Sequence, residues 1–393
     1  MNNAYKTMQS ELHSELLNIL TYWTNNTIDQ NYGGFVGKIT NDNKIVDKAN
    51  KGIILNTRIL WSFSAASNYL NSKSYQSICE RSFQYLKDYF KDNEYGGFYW
   101  ELDYKGQPIN KRKQVYAQAF GIYALSEYYK FSKDEEAKTL AIQLFELLEK
   151  HAKDSKKLGY IEALNQDWSP IDDMRLSEKD MNAAKTMNTH LHVLEAYTTL
   201  LEIYPNESLK KSLTMLVELF LTKFLNSNNH YHLFFDEDWK LLSNSVSYGH
   251  DIETIWLVIE AAKTLKNNDL SQQAYTIATR VANTFINEAI DTDGAVINEK
   301  NLTSNHIDTD RHWWPQVEAL VGLKYAYQIK NDSTYIDTAL KIWEFTKTHL
   351  IDTVNGEWFF RVDKNGNVYH EEDKVSMWKA PYHTSRACIM MNI

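Results

Sequence analysis

The sequence predicts an all-α protein, an (α/α)6 barrel of six outer and inner helix pairs with short β-hairpins between them. Three observations carry this. Glycine and proline are scarce, 14 and 5 among 393 residues, too few for a strand sandwich or barrel full of tight turns. A glycine and aromatic motif recurs six times at nearly constant spacing. Each recurrence separates the same two kinds of helical segment. Aromatics make up 13% of the chain, enough for a large core and for flat rings in a site, and disorder is excluded.

The motif begins as Tyr32-Gly-Gly-Phe-Val-Gly and returns as Tyr95-Gly-Gly-Phe-Tyr-Trp. Weaker copies follow at Gly159-Tyr-Ile-Glu, His232-Leu-Phe-Phe-Asp, Gly294-Ala-Val-Ile-Asn and Gly356-Glu-Trp-Phe-Phe. Counted from the glycine or its stand-in, the intervals are 63, 63, 73, 62 and 62 residues. Six units of this size fill the chain, and none is large enough to bury a core alone. The expectation is one domain over residues 1–393.

Each unit opens with a charged amphipathic segment. Ser74 to Phe90 is an example, with Phe83, Leu86 and Phe90 at helical spacing among Glu80, Arg81, Lys87 and Asp88, and it reads as an outer helix. The motif follows, and Gly96 to Asp103 with Lys105-Gly106 reads as short strands and a turn. Each unit closes on a segment apolar nearly all round. Ile53 to Leu70, with Ile54, Leu55, Ile59, Leu60, Trp61, Phe63 and Ala66, reads as a buried inner helix. An open solenoid needs a polar cap at each end, whereas Ala380 to Ile393 is apolar, so closure into a ring is preferred. Pro315 and Pro381 sit near the starts of inner helices, where a missing N–H costs little.

Charge and composition exclude several functions. With 42 Lys and Arg against 51 Asp and Glu, the formal charge is −9, and no basic run offers a footprint for nucleic acid. Met1 to Leu20 lacks a basic-then-apolar leader and no run of 18 apolar residues occurs, so no membrane contact and no export are expected. Cys79 and Cys388 form no disulfide framework, which fits a reducing cytoplasm. No glycine-rich phosphate loop follows a strand, so a nucleotide cofactor has no support, and no cofactor is expected.

If the inner helices are equivalent, residues of matching phase project into one central cavity. Near the six helix starts stand Arg58, then Tyr116 and Gln118, then Asn188 and His192, then His250 and Glu253, then Trp313, Trp314 and Glu318, then Trp378 and His383. A lone histidine at a helix start is usually a hydrogen-bonded structural residue. Three histidines, one arginine and two glutamates in register point to a site. Glu253, three residues after His250, is placed to orient that imidazole. His250 and His383 are placed to flank a substrate and exchange protons at neutral pH. Metal binding is the rival use of histidine. His190 and His192 point apart on a helix, and His230 with His232 lacks a third ligand, so no metal is expected. Trp61 and Trp343 read as core, whereas Trp313, Trp314 and Trp378 suit the face of a sugar ring, with one of the adjacent pair turned away.

These segments resemble a known family. Gly52-Ile-Ile-Leu-Asn-Thr-Arg58, Lys185-Thr-Met-Asn-Thr-His-Leu-His192, Ser247-Tyr-Gly-His250-Asp-Ile-Glu253, Trp313-Trp-Pro-Gln-Val-Glu318 and Trp378-Lys-Ala-Pro-Tyr-His383 are similar to motifs of the cellobiose 2-epimerases in the N-acylglucosamine 2-epimerase superfamily. The resemblance implies C2 epimerisation of the reducing-end sugar of β-1,4-linked disaccharides, such as cellobiose or lactose, through a cis-enediol(ate) and without a redox cofactor. It implies His250 and His383 as the acid/base pair, His192 in ring opening and Arg58 holding the oxyanion at O1. Tyr116, Asn188, Glu253, Glu318 and the three tryptophans become substrate-binding residues. His190 competes with His192, which is preferred because it lies four residues after Asn188. A monomer is expected, with a disaccharide as its partner. The alternatives are an aldose-ketose isomerase or an N-acylglucosamine 2-epimerase on the same fold, and an (α/α)6 glycoside hydrolase working through two carboxylates.

Overall fold

A computed structural model describes residues 3–393; Met1 and Asn2, at the start of the expected 1–393 domain, lie outside the described residues. Six helices form a closed inner ring: α2 (Ile53–Tyr69), α4 (Val115–Ser132), α6 (Met187–Ile203), α8 (Tyr248–Thr264), α10 (Trp313–Lys330) and α12 (Tyr382–Met390). Each packs on the next, and α12 packs on α2. Around them lie α1 (Asn3–Asn26), α3 (Gln76–Tyr85), α5 (Glu135–Leu147), α7 (Glu207–Leu219), α9 (Asn268–Ala289) and α11 (Ser333–His349). The molecule is the (α/α)6 barrel. Every residue from Ile53 to Ser67 of α2 is buried, as an inner helix with no polar face requires. Each outer helix from α3 to α11 packs on the inner helix before it in sequence. Helix α1 has no such predecessor and packs on α12 instead, so the two ends of the chain complete one unit.

A second ring lies at the helix starts. The strand entering each inner helix pairs with a strand of the following unit: Lys51–Gly52 with Glu101–Leu102, Lys113–Gln114 with Ala163–Leu164, and Lys185–Thr186 with Phe234–Phe235. Ser245–Ser247 with Glu299–Asn301 and Arg311–His312 with Arg361–Val362 continue it, and Asp373–Val375 closes it against Ile39–Thr40.

The repeat is real, but its phase shifts in the middle units. The first left-handed residue of each motif falls at Gly33, Gly96, Leu158, Asn229, Gly294 and Gly356, with a second following at Gly34, Gly97, Gly159 and Glu357. Unit three therefore aligns on Leu158 rather than Gly159, and unit four on Asn229 rather than His232. Asparagine tolerates this conformation, so a glycine search passes over it.

Two repeated contacts hold the layers together. A buried cation on the entering strand meets an aspartate of the motif: Lys51 with Asp29 at 2.7 Å, Lys113 with Asp92 at 2.7 Å, Lys185 with Asp154 at 2.8 Å, Arg311 with Asp291 at 2.6 Å and Lys374 with Asp352 at 2.5 Å. Unit four replaces both partners with neutral residues, Asn226 and Val246, and there His230 pairs with Asp251 at 2.7 Å. The fourth residue of an inner helix then accepts a backbone N–H from the motif. Gln118 accepts from Phe98 at 2.7 Å, His190 from Tyr160 at 2.9 Å, Asp251 from Tyr231 at 2.8 Å and Gln316 from Val296 at 2.8 Å. Gln118 and His190 therefore tie helix to motif rather than serving the axis.

His190 also donates from Nδ1 to the Thr186 carbonyl at 2.6 Å, so its partners hold it neutral. Burial pushes its pKa down to about 4. The unfolded chain takes up a proton near pH 6.5 that the folded chain refuses until about pH 4. Stability from this group is thus complete above pH 6.5 and lost as the pH falls towards 4, by roughly 3 kcal/mol. His190→Gln supplies the acceptor that Gln118 and Gln316 supply in their units. Denaturant unfolding should show near-unchanged stability at pH 7.5 and a shallower loss between pH 6.5 and 4.5; an unchanged slope would contradict the assignment.

Candidate active site

The inner helices start at the same end of the ring, where a cavity of about 560 Å³ opens. Arg58, Tyr116, Asn188, His192, His250, Glu253, Trp313, Trp314, Trp378 and His383 line it. These ten residues come from all six units. Glu318 does not line the cavity: it is fully buried behind it, accepts from His383 Nδ1 at 2.7 Å and from Trp256 Nε1 at 3.2 Å. Gln118 belongs to the tie described above, and the place expected for it at the axis is filled by Phe120, two residues on. The Phe120 ring lies 4.7 Å from the Arg58 guanidinium and 4.7 Å from the His192 ring.

Arg58 is buried and makes no ion pair among the described residues. Its guanidinium donates to the Tyr116 hydroxyl at 2.9 Å and to the Trp378 carbonyl at 3.0 Å, and it stacks on Tyr382 at 5.0 Å. A desolvated cation held by neutral partners keeps its charge for an anion in the cavity. Asn188 adds a buried Oδ1 that has no hydrogen-bond partner among the described residues.

The three histidines are held in two ways. His192 Nδ1 bonds Glu195 at 2.9 Å and His383 Nδ1 bonds Glu318 at 2.7 Å, so Nε2 of each ring is the nitrogen left for the cavity. His250 Nδ1 bonds the Ser247 hydroxyl at 2.8 Å, not Glu253, because the helix start turns the ring back towards its entering strand. Burial and the neighbouring His192 push His250 down to about 3. Burial, Arg58 and Arg386 hold His383 well below the usual imidazole range. Both are neutral bases at pH 7.

Trp314 lies against both imidazoles, 4.8 Å from His250 and 5.5 Å from His383 between ring centres. Gly249 makes room for it, since a Cβ there would lie 2.4 Å from the indole. Both tryptophans of the pair face the cavity: neither turns away, because the first turn of α10 sits at the rim. Trp313 packs on Phe360 at 4.6 Å. Trp378 lies 6.2 Å from Tyr116. The outer wall comes from two long connections, Leu176 to Asp180 in unit three and Phe360, Arg361 and Glu372 in unit six.

Sequence reasoning missed Glu195, Ser247, Tyr382 and Arg386. The signal for two of them was present: Glu195 follows His192, and Arg386 follows His383, by the same three residues that suggested Glu253 for His250. Arg386 is buried, and its guanidinium donates to Glu195, Glu253, Glu318 and Tyr382. Burial and Glu318 raise Glu253 to about 7. Among the described residues, Glu253, Glu318 and His383 bring potential metal-ligating atoms within 4.8 Å. That space already holds a cation, since Arg386 Nη2 bonds both carboxylates.

The model of the N-acylglucosamine 2-epimerase family matches residues 33–387. A cellobiose 2-epimerase of Bacteroides fragilis is 44% identical over 97% of this chain and 98% of its own length. One from Dictyoglomus turgidum is 37% identical over 98% of each chain. The solved structure of a cellobiose 2-epimerase from Bacillus thermoamylovorans superposes with a TM-score of 0.94 at 36% identity, covering 98% of each chain. The chain is a member of the N-acylglucosamine 2-epimerase family.

Proposed function

We propose that this chain is a cellobiose 2-epimerase, interconverting the C2 epimers of the reducing-end sugar of β-1,4-linked disaccharides. The observation that carries the reading is one cavity in which two neutral imidazoles, His250 and His383, flank Trp314 beside a cation without a carboxylate partner, Arg58. The C2 hydrogen of a sugar becomes acidic only beside an open-chain carbonyl. His192, held by Glu195, assists ring opening by moving a proton between O1 and the ring oxygen. One imidazole then takes the C2 proton, and the electron pair moves onto O1 to give the cis-enediolate. Arg58 holds that oxyanion with a charge present at any working pH. The other imidazole, neutral at rest, takes up a proton from solvent and delivers it to the opposite face of C2, and the first imidazole then releases to solvent the proton it removed. Burial makes such an imidazolium a strong acid, which favours the return. Tyr116, Asn188 and Glu253 bond hydroxyls, with burial raising the proton affinity of Glu253. Trp313, Trp314 and Trp378 cover the sugar's C–H faces. Glu318 acts through His383 rather than on the sugar.

The whole chain works as one catalytic domain and as a monomer, because a single ring supplies every residue named. Cys79 and Cys388 are free and buried, which suits a reducing cytoplasm, and no helix among the described residues is long and apolar enough to cross a membrane.

Incubated with cellobiose, the protein should yield glucosyl-mannose by chromatography; free glucose would favour a hydrolase, and a ketose product an isomerase. His250→Asn and His383→Asn should each lower kcat roughly 100- to 10,000-fold with the melting temperature nearly unchanged. Turnover like that of the parent in either variant would remove that histidine from the mechanism.

A further inference from the structure

Behind the cavity, one guanidinium meets both carboxylates that hold cavity histidines through Nδ1, Glu195 and Glu318. Arg386 is 1% exposed, and Nη1 donates to Glu195 and to the Tyr382 hydroxyl. Nη2 donates to Glu253, and to Glu318 at 2.6 Å. Glu195 in turn holds His192, and Glu318 holds His383. Arg386 also lies 4.7 Å from the Trp256 ring and 4.3 Å from the Tyr382 ring, so its plane is clamped by aromatic faces. It does not line the cavity.

We propose that Arg386 is a positioning residue for the epimerisation: by gathering Glu195 and Glu318 onto one planar fork, it fixes the Nδ1–H tautomer and the aim of His192 and His383 together. The inference rests on the epimerase reading above. Its chemistry follows from the geometry. A carboxylate that accepts from an imidazole Nδ1–H leaves Nε2 as the free lone pair, which is the form a base needs. A carboxylate left without a counter-charge would instead pull a second proton onto the ring and remove that lone pair. Arg386 supplies the counter-charge to both carboxylates at once. Burial works against the charged form of Glu195, yet Arg386, with His192 and Tyr382, holds that carboxyl down at about 2. Three acids share one cation, and burial raises the proton affinity of both Glu253 and Glu318. A purely structural role, neutralising buried charge, needs only a cation in this place. The proposed role needs the fork, because the two carboxylates are bonded by different nitrogens of one rigid plane.

Arg386→Lys separates the two roles, since it keeps the charge and loses the fork. The expected result is a folded protein whose KM for cellobiose stays within about threefold, with kcat down roughly 10- to 100-fold. The acid limb of kcat against pH should move to higher pH as the imidazoles bind protons more readily. A variant with parent-like kcat and pH profile would overturn the proposal. Should Arg386→Lys fail to fold, the parent protein decides. With 15N-labelled histidine, the His383 ring should show Nδ1 protonated and Nε2 unprotonated from pH 6 to 8, and His192 should carry its Nδ1 proton towards Glu195. An Nε2–H tautomer, or an ordinary titration near pH 6.5 at His383, would overturn it. This readout needs no turnover, so a parent protein inactive on cellobiose but showing the Nδ1–H tautomers would refute the epimerase reading and leave the tautomer control standing.

Discussion

The charged cluster on the barrel axis is the interaction on which the rest of this structure turns. Arg386 of α12 bonds Glu195 of α6, Glu253 of α8 and Glu318 of α10, so one side chain joins four of the six inner helices. Taking these charges out of water is costly, and the cluster is tolerable only because each carboxylate is bonded and two aromatic faces cover the cation. Removing a single partner would leave a buried charge exposed to no solvent. The same cluster stands directly behind His192 and His383, so the contact that closes the ring also orients the proton-transfer groups.

Around this axis the repeat does two jobs. The inner helices are buried over most of their length, and their first turns supply the side chains that line the cavity. The rings of strand pairs and buried ion pairs fix those first turns relative to one another, from Ile39–Thr40 round to Asp373–Val375. A small displacement of one helix start would be resisted by its neighbours on both sides. Extra chain length goes where the six-fold pattern would leave the cavity open: Leu176 to Asp180 and the Phe360 to Trp378 connection build its outer wall.

The fold was legible because a period of about 63 residues survives substitution of its individual members. Its phase in units three and four was not legible, because Leu158 and Asn229 adopt the left-handed conformation without glycine. The cavity residues were legible for a related reason: Arg58, His192 and Glu253 each stand sixth in their helices, and a closed ring brings equal phases together. Gln118 failed this test by two residues, since its amide is needed by Phe98. Glu318 shares the phase and yet lies behind the cavity, because α10 carries its tryptophans at the rim and His383 covers the glutamate. The pairing of His250 with Glu253 followed a sound rule about helical spacing, but Ser247 lay closer on the entering strand. Arg386 was the least visible, because its partners stand 191, 133 and 68 residues away, and only the closed ring shows that they meet.

The central claim is that His250 and His383 move a proton at C2 of an intact disaccharide. Incubation of cellobiose with the protein in D₂O, followed by NMR of the purified product, tests it most directly. The account predicts glucosyl-mannose carrying deuterium at C2 with the glycosidic bond unbroken. Epimerised product with protium retained at C2, or deuterium appearing at C1 of a ketose, would contradict it.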